Sequence, residues 1–201
     1  MHISEGVLPG WLLASGYAAT ACGVALGLKK LDHSRIPVAG LLSAVFFVAS
    51  LVHVPVGVGS VHLILNGLAG IILGWIVFPV LLVGLFLQAV LFQFGGLTVL
   101  GVNTFNMAFP AVIAYYICKP LLKKQSKAYI LIGSFLAAII AIMGAGFLVA
   151  GELLATGESF KETAKLIVLL HIPVAAIEGV INFFILLFLK RVAPEILEEW
   201  K

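Results

Sequence analysis

The sequence predicts an all-α membrane protein of seven transmembrane helices, with its N-terminus outside and its C-terminus cytoplasmic. Three observations carry this prediction. The 201 residues are 62% hydrophobic and 10% charged, with a mean hydropathy of +1.20, whereas soluble domains carry roughly 25% charged residues. From Ile36 to Cys118 there are 83 consecutive residues without Asp, Glu, Lys or Arg, enough for several crossings at about 20 apolar residues each. Ten of the twelve Lys and Arg fall into three clusters: Lys29, Lys30 and Arg35; Lys119, Lys123, Lys124 and Lys127; and Lys190, Arg191 and Lys201. Basic loops stay on the cytoplasmic side.

Pro, Gly and charge divide the apolar sequence into segments near 8–28, 37–54, 61–78, 80–96, 104–118, 128–150 and 166–189. The first has no Lys or Arg before it, and Lys29-Lys30 after it. That order is the reverse of a secretory signal, so the chain is expected to keep its start. The second to fifth segments make up the uncharged stretch. Both ends of that stretch are cytoplasmic, so it crosses an even number of times, and four crossings fit its breaks. The fourth and fifth segments are short. The "FGGLTVLGVN" between them is expected to dip into the protein without being helical, which protein or water must cover. The sixth and seventh segments flank an outer loop with Lys161, Lys165, Glu152, Glu158 and Glu162. The whole of 1–201 is then one polytopic domain, and the net charge of +3 reflects loop placement rather than nucleic-acid binding.

Small residues recur at packing spacing: Gly23 with Gly27, Gly70 with Gly74, and Ala137, Ala141 and Ala145. Such faces let helices approach closely in lipid. On the first helix the face could instead dock a partner. Cys22 and Cys118 lie in apolar runs and read as buried thiols rather than a disulfide.

This map puts four of the five histidines on the outer face. His2 is at the start, His53 ends the second span, His62 begins the third and His171 begins the last; His33 lies in an inner basic loop. In "MHISEG", the Met1 amine, the His2 amide nitrogen and the His2 imidazole can close two fused chelate rings on one ion, leaving a fourth corner. A tetragonal nitrogen set suits Ni(II) or Cu(II), and an imidazole is the natural fourth ligand. His62 in "GVGSVHLILNG" or His53 in "LVHVPVG" supplies it, the other making a supporting hydrogen bond. His171 and Glu178 are seven apart and share a helix face. Glu178 reads as the one acid well inside a span, where carboxylates are costly and often functional. Glu5 reads as a helix N-terminal carboxylate favoured by the dipole. The chain contains no GxxxxGK[ST] for ATP and no HExxH.

These residues resemble a known family. The opening "MHISEG", "GSVHLILNGLAGIILG", "FLQAVLFQFGGLTVLGVNTFNMAFP" and "HIPVAAIEG" resemble the CbiM/NikM proteins, substrate-binding components of energy-coupling-factor transporters for cobalt and nickel. The resemblance covers most of the chain. It implies a seven-helix fold whose N-terminus tucks into the bundle. It also implies a near-planar nitrogen site formed by the Met1 amine, the His2 amide and imidazole, and His62, with Asn103 in a lid-like segment beside it. It implies Co2+ or Ni2+ as the transported substrate, and a prokaryotic plasma membrane. A transmembrane coupling subunit and ABC ATPase subunits would act as partners, and some relatives use a further small membrane subunit. Two other readings of the residues remain: a self-sufficient proton-coupled metal transporter with a His171–Glu178 relay, and an intramembrane metalloenzyme with Glu178 as base.

Overall fold

The computed structural model describes residues 2–51, 53–56, 59–124 and 126–200, with side chains throughout except at 53–56, 59–61 and 198–200. The chain is almost entirely helical, as expected, with a small sheet at one end. After a two-residue strand β1 (His2–Ile3), α1 (Gly10–Lys30) begins behind Pro9 and ends in Lys29-Lys30, where cations complement the helix C-terminus. The Asp32 carboxylate accepts from the Arg35 N–H and so caps a short 3-10 turn, His33–Arg35. α2 (Ile36–Ala49) follows, with Pro37 in its first turn, where its missing N–H costs nothing.

Strands β2 (His53–Val56) and β3 (Gly59–His62) form a hairpin, and β1 adds to it in the order β1-β3-β2, antiparallel throughout. This hairpin corrects the expected boundaries. The second and third apolar segments were expected to run to 54 and from 61. Instead α2 stops at Ala49 and α3 (Asn66–Leu73) starts five residues late, so His53 and His62 sit on strands, not at helix ends.

All eight residues of α3 are buried. Asn66 Nδ2 donates to Met107 O (2.8 Å), and a Cβ at Gly70 would lie 2.4 Å from Ala111 O. α3 therefore runs beside α5 (Leu100–Leu122), in the same direction and at backbone contact. It ends at Gly74, whose φ of +58° is open to glycine. The chain then reverses through Gly74–Ile76 into α4 (Val77–Phe92). α4 returns along α1: Phe78 lies against Gly23, Pro79 against Gly27, and Gln88 reaches His2. The small face of α1 thus packs internally, and Gly16 accepts Val102 in the same way.

α6 (Lys127–Thr156) starts at Ser126, whose hydroxyl accepts from Tyr129 N, and buries Ala137, Ala141 and Ala145 completely. α7 (Lys161–Val192) packs along it. Glu152, placed by the sequence in the outer loop, is helical. Cys118 is buried as expected, but Cys22 is exposed; both are free thiols. Among the described residues, five helical runs are long and apolar enough to cross a membrane: Gly10–Lys30, Asn66–Phe92, Leu100–Leu122, Lys127–Thr156 and Glu158–Val192, with His33–Ala49 shorter.

Candidate metal centre

The β1 strand brings the start of the chain into the protein. His2 pairs with Ser60 and Ile3 with Gly59, while His62, at the end of β3, pairs with His53. Asn103 clamps the peptide just beyond His2: its Oδ1 accepts from Ile3 N (2.9 Å) and its Nδ2 donates to Ile3 O (3.1 Å), so one amide imitates a strand partner. The 93–99 loop closes over this segment. Glu5 N donates to Gly95 O (3.0 Å), and the Glu5 carboxylate accepts from Thr98 N (2.8 Å) just ahead of α5. A Cβ at Gly95 would lie 2.9 Å from Asn103 Nδ2 and 3.3 Å from the His2 side chain, a site where only glycine (φ +74°) fits. Residues 93–99 are non-helical, as expected, but Leu100–Asn103, expected to belong to the same non-helical segment, form the first turn of α5.

Within this enclosure His2 Nδ1 lies 3.2 Å from His62 Nε2, and each residue is only 4% exposed. The surrounding bonds assign the tautomers. Gln88 Nε2 donates to Ser50 Oγ, which turns Gln88 Oε1 towards His2 Nε2 (2.8 Å); that nitrogen must carry the hydrogen. His62 Nδ1 lies 2.8 Å from Leu63 O, which also requires a hydrogen. The two nitrogens that face each other are therefore His2 Nδ1 and His62 Nε2, both in their lone-pair forms. Two lone pairs at this distance repel unless a proton or a cation lies between them. At a metal–nitrogen distance of about 2.0 Å, a 3.2 Å separation subtends roughly 105°, an angle suited to neighbouring ligands on one ion.

The other expected site residues are placed as follows. Met1, and with it the expected amine ligand, lies outside the described residues, as does the His53 side chain, whose backbone faces His62 across the hairpin. Glu178 does not point to the histidine pair. Its Oε1 accepts from Ile64 N (2.5 Å) and Leu65 N (2.9 Å), the residues that follow His62 and lead into α3. Leu65 has a φ of +55°, a conformation costly for a non-glycine residue, and Glu178 helps to hold it. His171 Nδ1 bonds Ile167 O (2.5 Å) on its own helix, and its Nε2 is buried without a partner. No hydrogen bond links His171 to Glu178 among the described residues, so the pair forms no direct relay. No cluster of three or more His, Cys, Asp or Glu occurs among the described residues. Asn106 on α5 engages Glu152 on α6 (2.6 Å), a second intrahelical acid.

Sequence reasoning missed Gln88 and Ser50. The signal was present, because Gln88 is an amide within the 83-residue uncharged stretch, where polar groups are rare and usually paired.

The family model for the cobalt uptake substrate-specific transmembrane region, CbiM, matches residues 2–196. The chain belongs to the CbiM family. Among relatives, a Haemophilus influenzae protein provisionally named a metal transport protein is 44% identical over 200 residues, covering 98% of this chain and 97% of that protein. A cobalt transport protein CbiM of Sorangium cellulosum is 31% identical over 219 residues, covering 98% and 95%. Two solved structures share the fold, each with a TM-score of 0.82: a transition metal transporter (27% identity; 96% of this chain, 93% of that one) and a truncated transition metal transporter (25%; 95% and 99%). This CbiM protein is accordingly a substrate-specific membrane component for transition-metal uptake, cobalt in the family description, and not an enzyme.

Proposed function

We propose that this CbiM protein captures Co2+ or Ni2+ at the outer face of a prokaryotic plasma membrane and hands it to an ATP-driven importer. The ion is held by the Met1 amine, the His2 amide nitrogen and Nδ1, and His62 Nε2. The observation that carries this reading is the 3.2 Å approach of two buried imidazole nitrogens whose partner nitrogens are each committed elsewhere. Gln88 and Leu63 O fix the ring tautomers, Asn103 fixes the strand bearing His2, and Glu178 fixes the turn after His62. The metal is substrate, so the site must both grip and release it.

The sequence contains no ATP-binding loop; in this reading a transmembrane coupling subunit and ABC ATPases supply the energy. The charge distribution supports seven traverses, with the N-terminus outside and the C-terminus in the cytoplasm. In this topology the stretch from His62 through α3 runs inward and α4 runs back outward, the two joined at Gly74.

The test is to insert one residue ahead of Met1 and measure Co2+ and Ni2+ binding calorimetrically. The insertion moves the amine away and places the histidine third. Near-complete loss of binding is expected, with a tag after Lys201 harmless. Wild-type affinity in the extended protein overturns the ligand set.

A further inference from the structure

A second polar site lies at the other end of the bundle. α1 and α5 both run away from the histidine pair, and 21 helical residues of α1 span about 30 Å, one hydrocarbon thickness. Where they end, the reversal at Gly74 leaves a cleft of about 410 Å³. It is lined by Lys30, Arg35, Trp75, Tyr115, Tyr116 and Lys119, with Leu73 and Gly74 at its floor. Three cations from three different elements therefore face one space.

Their positions are set by contacts. Arg35 Nη2 donates to Ile72 O (2.6 Å), where α3 ends and its carbonyls lack helical partners. Lys119 Nζ donates to Tyr115 OH (2.6 Å) and lies 4.7 Å from that ring's centroid. Trp75 Nε1 donates to Tyr116 OH (3.0 Å), which leaves the Tyr116 hydroxyl hydrogen to donate in turn. Asp32, next to the cleft in sequence, does not line it. Its carboxylate accepts from Ser34 Oγ (2.5 Å) and Arg35 N (3.1 Å), and these bonds, the Ser34 one foremost, hold its pKa below the usual carboxylate range. No ion pair engages Lys30 or Lys119 among the described residues.

The groove between α6 and α7 at the outer end makes a contrast. It also holds two lysines, Lys161 and Lys165, but Lys165 is paired with Glu162 (2.7 Å) and the remaining lining is apolar.

We infer that the inner cleft binds a phosphate-bearing anion, the headgroup of an anionic phospholipid in the adjoining leaflet. Two further features favour the lipid as the source. Trp and Tyr side chains of the kind that settle at headgroup depth form one wall, and basic pockets between transmembrane helices recognise anionic headgroups. The headgroup would brace α1, α5 and the α3–α4 reversal together at the end remote from the histidines.

The experiment uses the full chain, with native mass spectrometry and lipid titration against phosphatidylglycerol, phosphatidylcholine and inorganic phosphate. Wild type is expected to retain one phosphatidylglycerol in preference to phosphatidylcholine. Lys30→Gln with Lys119→Gln is expected to weaken that binding about 30-fold, with Co2+ binding unchanged as the check on folding. Lys119→Arg is expected to keep the lipid, as is Lys161→Gln with Lys165→Gln. Saturable inorganic phosphate binding with no lipid preference, lost in the same double variant, supports the anion site and assigns it to a soluble source. Equal retention of both lipids by wild type and the double variant, with no phosphate bound, overturns the inference.

Discussion

His2 and His62 present lone pairs to each other only because each ring has somewhere else to put its hydrogen. In the proposed site Gln88 therefore counts for as much as the two rings, because it orients His2. Gln88→Leu removes the acceptor for His2 Nε2 and is expected to weaken Co2+ binding by roughly 10- to 100-fold, measured by competition with a chelator. Wild-type affinity in Gln88→Leu would show that the tautomer is set by something else. Proton competition follows from the same geometry. Both ring nitrogens must be unprotonated, and imidazole ordinarily titrates near 6.5. Affinity is thus expected to rise with pH through neutrality and to be lost as pH falls. Between pH 7.5 and 5, two such groups reduce it by roughly 1000-fold, and binding at pH 7 should release protons detectable by calorimetry in buffers of different ionisation enthalpy. Glu178 acts one step further away. Glu178→Ala strands the N–H groups of Ile64 and Leu65, each worth about 1–3 kcal/mol when buried and unsatisfied, so both Tm and metal affinity should drop. Glu178→Gln keeps an acceptor and should retain most of both; equal loss in the two variants would mean that the charge itself is required.

Among the elements, α3 is the most constrained. Each of its faces is buried, and its glycines are the points of closest approach: a Cβ at Gly67 would meet Ala137 O at 2.8 Å, and one at Gly70 would meet Ala111 O at 2.4 Å. Gly70→Val must push α3 off α5, and overpacking of this kind costs about 1–3 kcal/mol or more. Thermal unfolding should show a drop of several degrees for Gly70→Val. Gly40→Ala and Gly151→Ala, where an added Cβ meets nothing within 4 Å, should stay near wild type. Equal effects at all three positions would place the tight packing elsewhere. The helices themselves were legible in the sequence because hydropathy and charge record them directly, and α1, α6 and α7 begin and end within a few residues of charged or capping positions. The hairpin was hidden. Val52, Val54, Val56, Val58 and Val61 around Pro55 and two glycines form a β-branched alternating run, but in a chain this apolar it reads as the continuation of a span. His2 and His62 were legible as polar rings at the borders of apolar runs. Ser50 was not, because nothing in sequence announces which serine an amide 38 residues away will choose.

For the molecule as a whole, the histidine pair and the basic cleft occupy opposite ends of the bundle. α1, α5 and the α3–α4 reversal run between them. In the proposed topology the histidine end faces outside. In a background with Cys22→Ser and Cys118→Ser, a membrane-impermeant maleimide is expected to label Ser159→Cys in intact cells, and Ser126→Cys only after permeabilisation. The reverse pattern would turn the protein over in the membrane. The packing also explains how a short N-terminal strand can hold His2 in a fixed place. β1 is tied by β3, by both arms of Asn103 and by Glu5, which is held at Gly95 and Thr98, so residues that would fray in most chains are fixed.

In the proposed site a single ion sits between the two rings. The most direct measurement is the crystal structure of the cobalt-loaded protein, with anomalous scattering recorded at the cobalt edge. A single anomalous peak about 2.0–2.1 Å from both His2 Nδ1 and His62 Nε2 is the predicted result. A peak coordinated by only one of them, or lying elsewhere in the bundle with the pair still bridged by a proton, contradicts it.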